Sequence, residues 1–172
     1  MRNIVLIGFM GTGKSAVGRR LAARLGREFV DTDEEIERIT GKTIPQIFAR
    51  DGEIRFRSEE ALVVKKVAAR ENLVVATGGG VVLNPENVRA LQQNGVLIGL
   101  VADPGVIYRR VKRKRNRPLL NGPGDILARI KELLAARAGA YAVAEFTVDT
   151  GRHTIDEVVE MIVAYLKERG II

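Results

Sequence analysis

Short, unbroken apolar runs alternate along this chain with longer stretches in which apolar residues recur every three or four positions. Ile4-Val5-Leu6-Ile7, Leu73-Val74-Val75-Ala76 and Val96 to Val101 are continuous apolar runs, the pattern of strands covered on both faces of a parallel sheet. Glu28-Phe29-Val30-Asp31 and Phe146-Thr147-Val148-Asp149 read as two shorter strands. Helical patterns lie between them: Lys14 to Leu25, closed by Gly26; about Asp33 to Ile39; and Ile44 to Arg70, with a break near Asp51-Gly52. Asn84-Pro85 and Asp103-Pro104 each set a capping residue before a proline whose φ is already helical. An alanine-rich helix is predicted to run to about Ala144. Thr154-Ile155-Asp156-Glu157 forms a capping box that opens a last helix, whose apolar positions from Ile155 to Leu166 keep helical spacing. The alternation predicts an α/β fold around a five-stranded parallel sheet flanked by helices.

With 172 residues, no internal repeat and no low-complexity linker, one domain over 1–172 is expected. The composition, 46% hydrophobic and 28% charged, suits a globule with a core and excludes a disordered tail. No apolar run approaches the roughly 18–20 residues of a membrane span. The apolar stretch after Met1 is too short for a secretory signal. The chain has no cysteine, so it has neither a disulfide framework nor a thiolate metal site. A cytoplasmic location is expected. The net charge of +7 favours anionic partners without naming them. The one histidine, His153, reads as a surface loop residue.

Gly8-Phe9-Met10-Gly11-Thr12-Gly13-Lys14-Ser15 fits the phosphate-binding loop G-x-x-x-x-G-K-[ST], between a buried-type strand and a helix as the motif requires. Glycines let backbone N–H groups close on phosphate oxygens, the helix N-terminus adds positive potential, Lys14 can neutralise β/γ-phosphate charge and the Ser15 hydroxyl can bind Mg²⁺. Asp31-Thr32-Asp33 ends the second strand, where ligands of open α/β sheets bind. Its carboxylates can serve Mg²⁺ and an acceptor hydroxyl, or cap the following helix; Asp33 can do both. Thr77-Gly78-Gly79-Gly80 ends the third strand, and three glycines point to a ligand lying against bare backbone. Arg57 and Arg137 are suited to binding a carboxylate in bidentate fashion. Arg109 to Arg117 holds seven basic residues in nine, readable as a solvated helix end, a nucleic-acid patch or a lid over phosphates. Only Tyr108 lies near this run, so single-strand stacking is poorly supported. No Asn-Lys-x-Asp or Asp-x-x-Gly motif is present, which weighs against a GTPase, and the length weighs against a motor. A small-molecule kinase remains. A nucleotide-dependent nucleic-acid-binding regulator is the rival from another class, with gluconate and nucleoside monophosphate kinases as rivals of the same fold.

Gly8 to Ser15, Asp31 to Glu37, Phe56-Arg57-Ser58-Glu59-Glu60, Thr77 to Gly80, Arg117-Pro118-Leu119-Leu120, and Arg137 ahead of Tyr141 together resemble the shikimate kinase family, in the family's order and across most of the chain. The resemblance implies a three-layer P-loop fold like that of nucleoside monophosphate kinases, with a mobile lid at about 112–124 and a substrate-binding helical region at about 32–61. It implies phosphorylation of shikimate by ATP with Mg²⁺, in the pathway to chorismate and the aromatic amino acids. ATP would be held by Gly11, Thr12, Gly13, Lys14, Ser15 and Ala16, with Arg110 and Arg152 beside the adenine. The metal would sit at Ser15 and Asp31. Shikimate would contact Asp33, Arg57, Gly78, Gly79, Gly80 and Arg137, with Phe48 and Phe56 as apolar wall and Glu60 holding Arg57. Lys14, Asp33 and Arg117 would be the catalytic set. A monomer acting on a small molecule, with no nucleic-acid or membrane partner, is expected. Arg137-Ala138-Gly139-Ala140-Tyr141 lacks the proline that family members often carry between these two residues.

Overall fold

The computed structural model describes residues 1–112 and 124–172; Arg117 and nearly all of the expected lid lie outside the described residues. β1 (Asn3–Ile7), β2 (Glu28–Asp31), β3 (Leu73–Ala76), β4 (Gly95–Val101) and β5 (Phe146–Asp149) pair in parallel, in the order β2-β3-β1-β4-β5. The helices are α1 (Lys14–Leu25), α2 (Thr32–Thr40), α3 (Ile44–Ala68), α4 (Pro85–Gln93), α5 (Pro104–Val111), α6 (Ile126–Tyr141) and α7 (Ile155–Glu168).

The unbroken apolar runs have the predicted cause: both faces of the sheet are covered. Ile4 and Leu6 of β1 pack with Val17 and Leu21 of α1 and with Val159, Ile162 and Leu166 of α7. Val5 and Ile7 point the other way, into a layer formed with Ile36, Ile47, Val63, Val67 and Leu91 of α2, α3 and α4. A third cluster joins Phe9 of the phosphate loop to Ile107, Val111 and Ile130 of α5 and α6. Among the described residues no helix is long and apolar enough to cross a membrane.

Two local features differ from the sequence pattern and a third follows it. α6 stops at Tyr141 rather than Ala144, because Glu145 N–H must reach Leu97 O to start β5 beside β4, and that sheet bond overrides alanine's helix preference. Asp103 precedes the proline of α5 but its side chain makes no capping bond. α3 is broken at Gly52, which sits at φ 84°, ψ 173°, where the sequence placed a break.

β1 and β3 are neighbours whose following connections part, one crossing to β2 and the other to β4. Such a divergence opens a crevice at the carboxyl ends of the strands. The loops after β1, β2 and β3 are the three that carry the chemical motifs.

Candidate active site

The loop after β1 is shaped by what surrounds it. A Cβ on Gly8, at φ 151°, would lie 2.3 Å from the Leu100 carbonyl oxygen of β4, a backbone atom that cannot step aside. Gly13, at φ 98°, stands at the N-terminus of α1, and no side chain caps that end, so its first N–H groups face the crevice. Lys14 is buried and folds back so that Nζ donates to Gly8 O at 2.7 Å and Phe9 O at 2.8 Å. The loop is also braced from outside. The Thr150 hydroxyl donates to Thr12 O at 2.6 Å, and Arg110 donates to Gly11 O and to both the hydroxyl and the carbonyl oxygen of Thr150.

The two aspartates after β2 divide the work that their spacing left open. Asp31 is the N-cap of α2: its Oδ1 accepts from the N–H groups of Asp33 and Glu34. Its Oδ2 accepts from the Ser15 hydroxyl at 2.6 Å. Asp33 is not the cap, and its carboxylate lies against Gly78, whose Cβ, if present, would sit 2.6 Å from Asp33 Oδ1.

The glycines after β3 are needed for close approach, since none of the three has positive φ. A Cβ on Gly78 would strike Asp33 Oδ1 and press on Glu60 Oε2 at 3.2 Å. On Gly79 it would press on Met10 N at 3.2 Å. On Gly80 it would fall 2.3 Å from Arg57 Nη1 and 2.6 Å from Nη2. The triple glycine is therefore the surface on which two carboxylates, the phosphate loop and a guanidinium converge.

Arg57 is held from behind by Glu60, with Nη1 to Oε1 at 2.9 Å. Glu60 is almost fully buried, and that burial pushes its carboxyl above the ordinary range, with Arg57 and Arg137 pulling the other way. Arg137 is buried, and its guanidinium carbon lies 5.8 Å from the Phe9 ring centroid. Among the described residues, Arg137 Nη1 and Glu60 Oε2 have no hydrogen-bond partner. An orphaned buried guanidinium N–H is costly, and it suits a site built to receive a carboxylate.

Two cavities meet at these loops. The larger, about 460 Å³, is lined by Gly11 to Val17, Arg110, Thr150 and His153, and by Ile155 and Val158 of α7. The smaller, about 340 Å³, is lined by every residue expected to bind the acceptor: Asp33, Phe48, Phe56, Arg57, Glu60, Gly78, Gly79, Gly80 and Arg137. Phe48 and Phe56 pack at 4.9 Å between ring centroids to form its apolar wall. Met10, Ser15, Asp31, Asp33, Gly78 and Gly79 border both cavities. Two carboxylates, Asp31 and Asp33, thus stand between the phosphate-loop cleft and a chamber with two guanidinium groups, and Asp33 is the one that lies against the glycine loop.

Arg152 does not join this arrangement. It is exposed, 3.4 Å from Asp149, and borders neither cavity. Its neighbour His153, read from sequence as a surface loop residue, is exposed as expected but also borders the larger cavity. Thr32 and Thr150 carry bonds that sequence reasoning did not assign. A single threonine hydroxyl has no sequence signature, and only their positions next to motif residues could have drawn notice.

The family model for shikimate kinase matches residues 10–167. A shikimate kinase of Pelotomaculum thermopropionicum is 67% identical over the whole of this chain and 99% of its own length. One from Desulforudis audaxviator is 66% identical over 99% of this chain and 89% of its own. Among solved structures, shikimate kinase from Acinetobacter baumannii in complex with shikimate superposes with a TM-score of 0.94 at 39% identity, covering 98% of this chain and 94% of that one. Shikimate kinase from Aquifex aeolicus gives 0.84 at 37% identity, covering 98% of each.

Proposed function

The chain belongs to the shikimate kinase family, and from that premise we propose that it transfers the γ-phosphoryl group of ATP to a hydroxyl of shikimate, giving shikimate 3-phosphate and ADP. The observation that carries the reading is the smaller cavity. Its two guanidinium groups, Arg57 and Arg137, suit a carboxylate, and Asp33 lies where that cavity meets the phosphate loop. A hydroxylated carboxylic acid of cyclohexene size has both features.

Each residue then has a defined task. Arg57, fixed by Glu60, and Arg137 bind the carboxylate in charge-assisted contacts. Phe48 and Phe56 exclude water from the ring. Asp33 accepts a hydrogen bond from the attacking hydroxyl, aligns it and takes up its proton as the P–O bond forms. The N–H groups of the phosphate loop and of the α1 N-terminus hold the β- and γ-phosphates, and Lys14, exchanging Gly8 O and Phe9 O for phosphate oxygens, offsets their charge. Arg117 is assigned to the transferred phosphate by the family resemblance alone.

Ser15 Oγ and Asp31 Oδ2, 2.6 Å apart, are hard oxygen donors that fit Mg²⁺. Among the described residues there is no cluster of three or more acidic, histidine or cysteine ligands, as befits an ion that keeps waters and takes its remaining ligands from substrate phosphates. Bound there, Mg²⁺ would neutralise charge on the β- and γ-phosphates. The Ser15 hydroxyl, now donating to Asp31, would turn a lone pair to the metal. Adenine would lie toward Arg110, His153 and Ile155. The absence of cysteine is in keeping with a cytoplasmic enzyme.

The test is ADP release from ATP and Mg²⁺ in the presence of shikimate, gluconate or AMP. Stimulation by shikimate alone is expected. Stimulation by a control, or none, would remove the acceptor while leaving the phosphate loop in place.

A further inference from the structure

The triple-glycine loop offers backbone N–H groups to the smaller cavity, yet a run of three glycines has little conformational preference of its own. The structure accounts for its order by fixing its peptide planes from outside the cavity. The Gly78 N–H donates to the buried Thr32 hydroxyl at 2.9 Å. Gly78 O accepts from Val81 N at 3.1 Å, and Gly80 O from Leu83 N at 3.1 Å. The remaining plane, Gly79–Gly80, is held by a side chain: the Tyr141 hydroxyl donates to Gly79 O at 2.6 Å.

Because a peptide unit is planar and trans, its C=O and the N–H that follows point in opposite directions. Tyr141 lies outside the cavity that Gly79 and Gly80 line. Tying Gly79 O to Tyr141 therefore turns the Gly80 N–H toward the cavity. Neither the Gly79 nor the Gly80 N–H donates to another described residue, so both are available to an acceptor atom of a ligand. The same tyrosine stands one helical turn from Arg137 on α6, on the same face of the helix, and Arg137 Nη1 borders the same glycine, 3.8 Å from where a Cβ on Gly79 would lie. Burial pushes the Tyr141 hydroxyl up from its ordinary pKa, so it keeps its proton and remains a donor at neutral pH.

We propose that Tyr141 is a positioning residue for the acceptor: its hydroxyl couples Arg137 to the glycine loop and sets the direction of the Gly80 N–H, so that guanidinium and amide meet the substrate as one preformed unit. The inference rests on the assignment of the smaller cavity to shikimate. The missing proline between Arg137 and Tyr141 is consistent with it, since α6 continues unbroken through both residues and keeps them in fixed relation.

The experiment is steady-state kinetics of Tyr141→Phe, with thermal unfolding measured in parallel. The ring, which packs beside the Phe9, Ile107 and Ile130 cluster, is retained, and only the hydroxyl is lost. The expected result is a KM for shikimate raised about five- to thirty-fold, the worth of one hydrogen bond that orients a binding group. The KM for ATP should stay within about two-fold and the melting temperature within a few degrees, as expected for a change that leaves the core intact. An unchanged shikimate KM would overturn the proposal. So would a parallel rise of both KM values with a lowered melting temperature, which would mark Tyr141 as a packing residue only. If the unaltered protein shows no shikimate-dependent ADP release, the proposed activity itself fails and this inference with it. Normal wild-type turnover with an indifferent variant sinks the inference alone.

Discussion

Gly80→Ala tests the acceptor site through a single added methyl group. The new Cβ would sit 2.3 Å from Arg57 Nη1, 2.6 Å from Nη2 and 2.7 Å from Cζ. Ordinary contact begins near 3.4 Å, so the guanidinium must retreat by about 1 Å. Arg57 is flexible enough to do so, and the core does not need to move, so the melting temperature should change little. The retreat is nevertheless incompatible with the 2.9 Å bond from Arg57 Nη1 to Glu60 Oε1 and with a carboxylate placed to meet the original position. A hydrogen bond to a charged group contributes about 1.5–3 kcal/mol, which corresponds to a shikimate KM raised roughly 10- to 150-fold. The phosphate loop is not touched, so the KM for ATP should hold. The assay is initial-rate kinetics with each substrate varied in turn, together with a melting curve. A shikimate KM within about two-fold of wild type would refute the placement of Arg57 on the substrate. A large fall in melting temperature would show that the methyl group is felt by the backbone rather than by the guanidinium.

Asp33→Asn should leave ATP binding, measured by equilibrium titration, near wild type, while turnover falls by at least about 100-fold, the scale of a lost general base or orienting carboxylate; near-normal kcat would remove Asp33 from the reacting hydroxyl. The Glu60 carboxyl, pushed up by burial, takes up its proton at a higher pH than an ordinary carboxylate as pH falls. Its hold on Arg57 is lost on the acid side, so shikimate KM should climb as pH is lowered, before the exposed carboxylates titrate. Its contribution to folding runs the opposite way, because a raised folded-state pKa favours the native state at low pH and that stability is lost as pH rises through the raised value. In Glu60→Gln, KM measured from about pH 8 to pH 5 should be raised throughout and lose this acid limb; an acid limb that persists would assign it to another group.

The elements were legible wherever the local chain and the tertiary structure ask for the same thing. The apolar runs of β1 and β3, the Asn84-Pro85 start and the Thr154 capping box are set by their own residues, and they appear as read. The end of α6 was not legible, because the reason for it lies on β4, where Leu97 O waits for Glu145 N–H. The site divides in the same way. The phosphate loop and the triple glycine announce themselves because their backbone demands are rare. The division of labour between Asp31 and Asp33 does not, since both are carboxylates at a helix start and only the fold shows that Asp31 caps α2 and accepts from Ser15. Thr32, Tyr141 and Thr150 act through single hydroxyls on backbone carbonyl or N–H groups 46, 62 and 138 residues away, and no pattern along the chain marks such bonds. Arg152 illustrates the converse. The family resemblance alone set it beside the adenine, but it pairs with Asp149 at the surface, and its neighbour His153 borders the larger cavity.

The two cavities share a wall formed by Met10, Ser15, Asp31, Asp33, Gly78 and Gly79, and that wall has a consequence for inhibitor chemistry. A compound that joins an anionic ring to a polyphosphate mimic would enter both chambers while losing its translational freedom once. Its second half would then bind at the effective concentration set by the tether, of the order of millimolar for a short flexible link. Two fragments that are each weak would in this way combine into a tight ligand, and tethers routed past Asp33 should outperform longer ones that must detour around it.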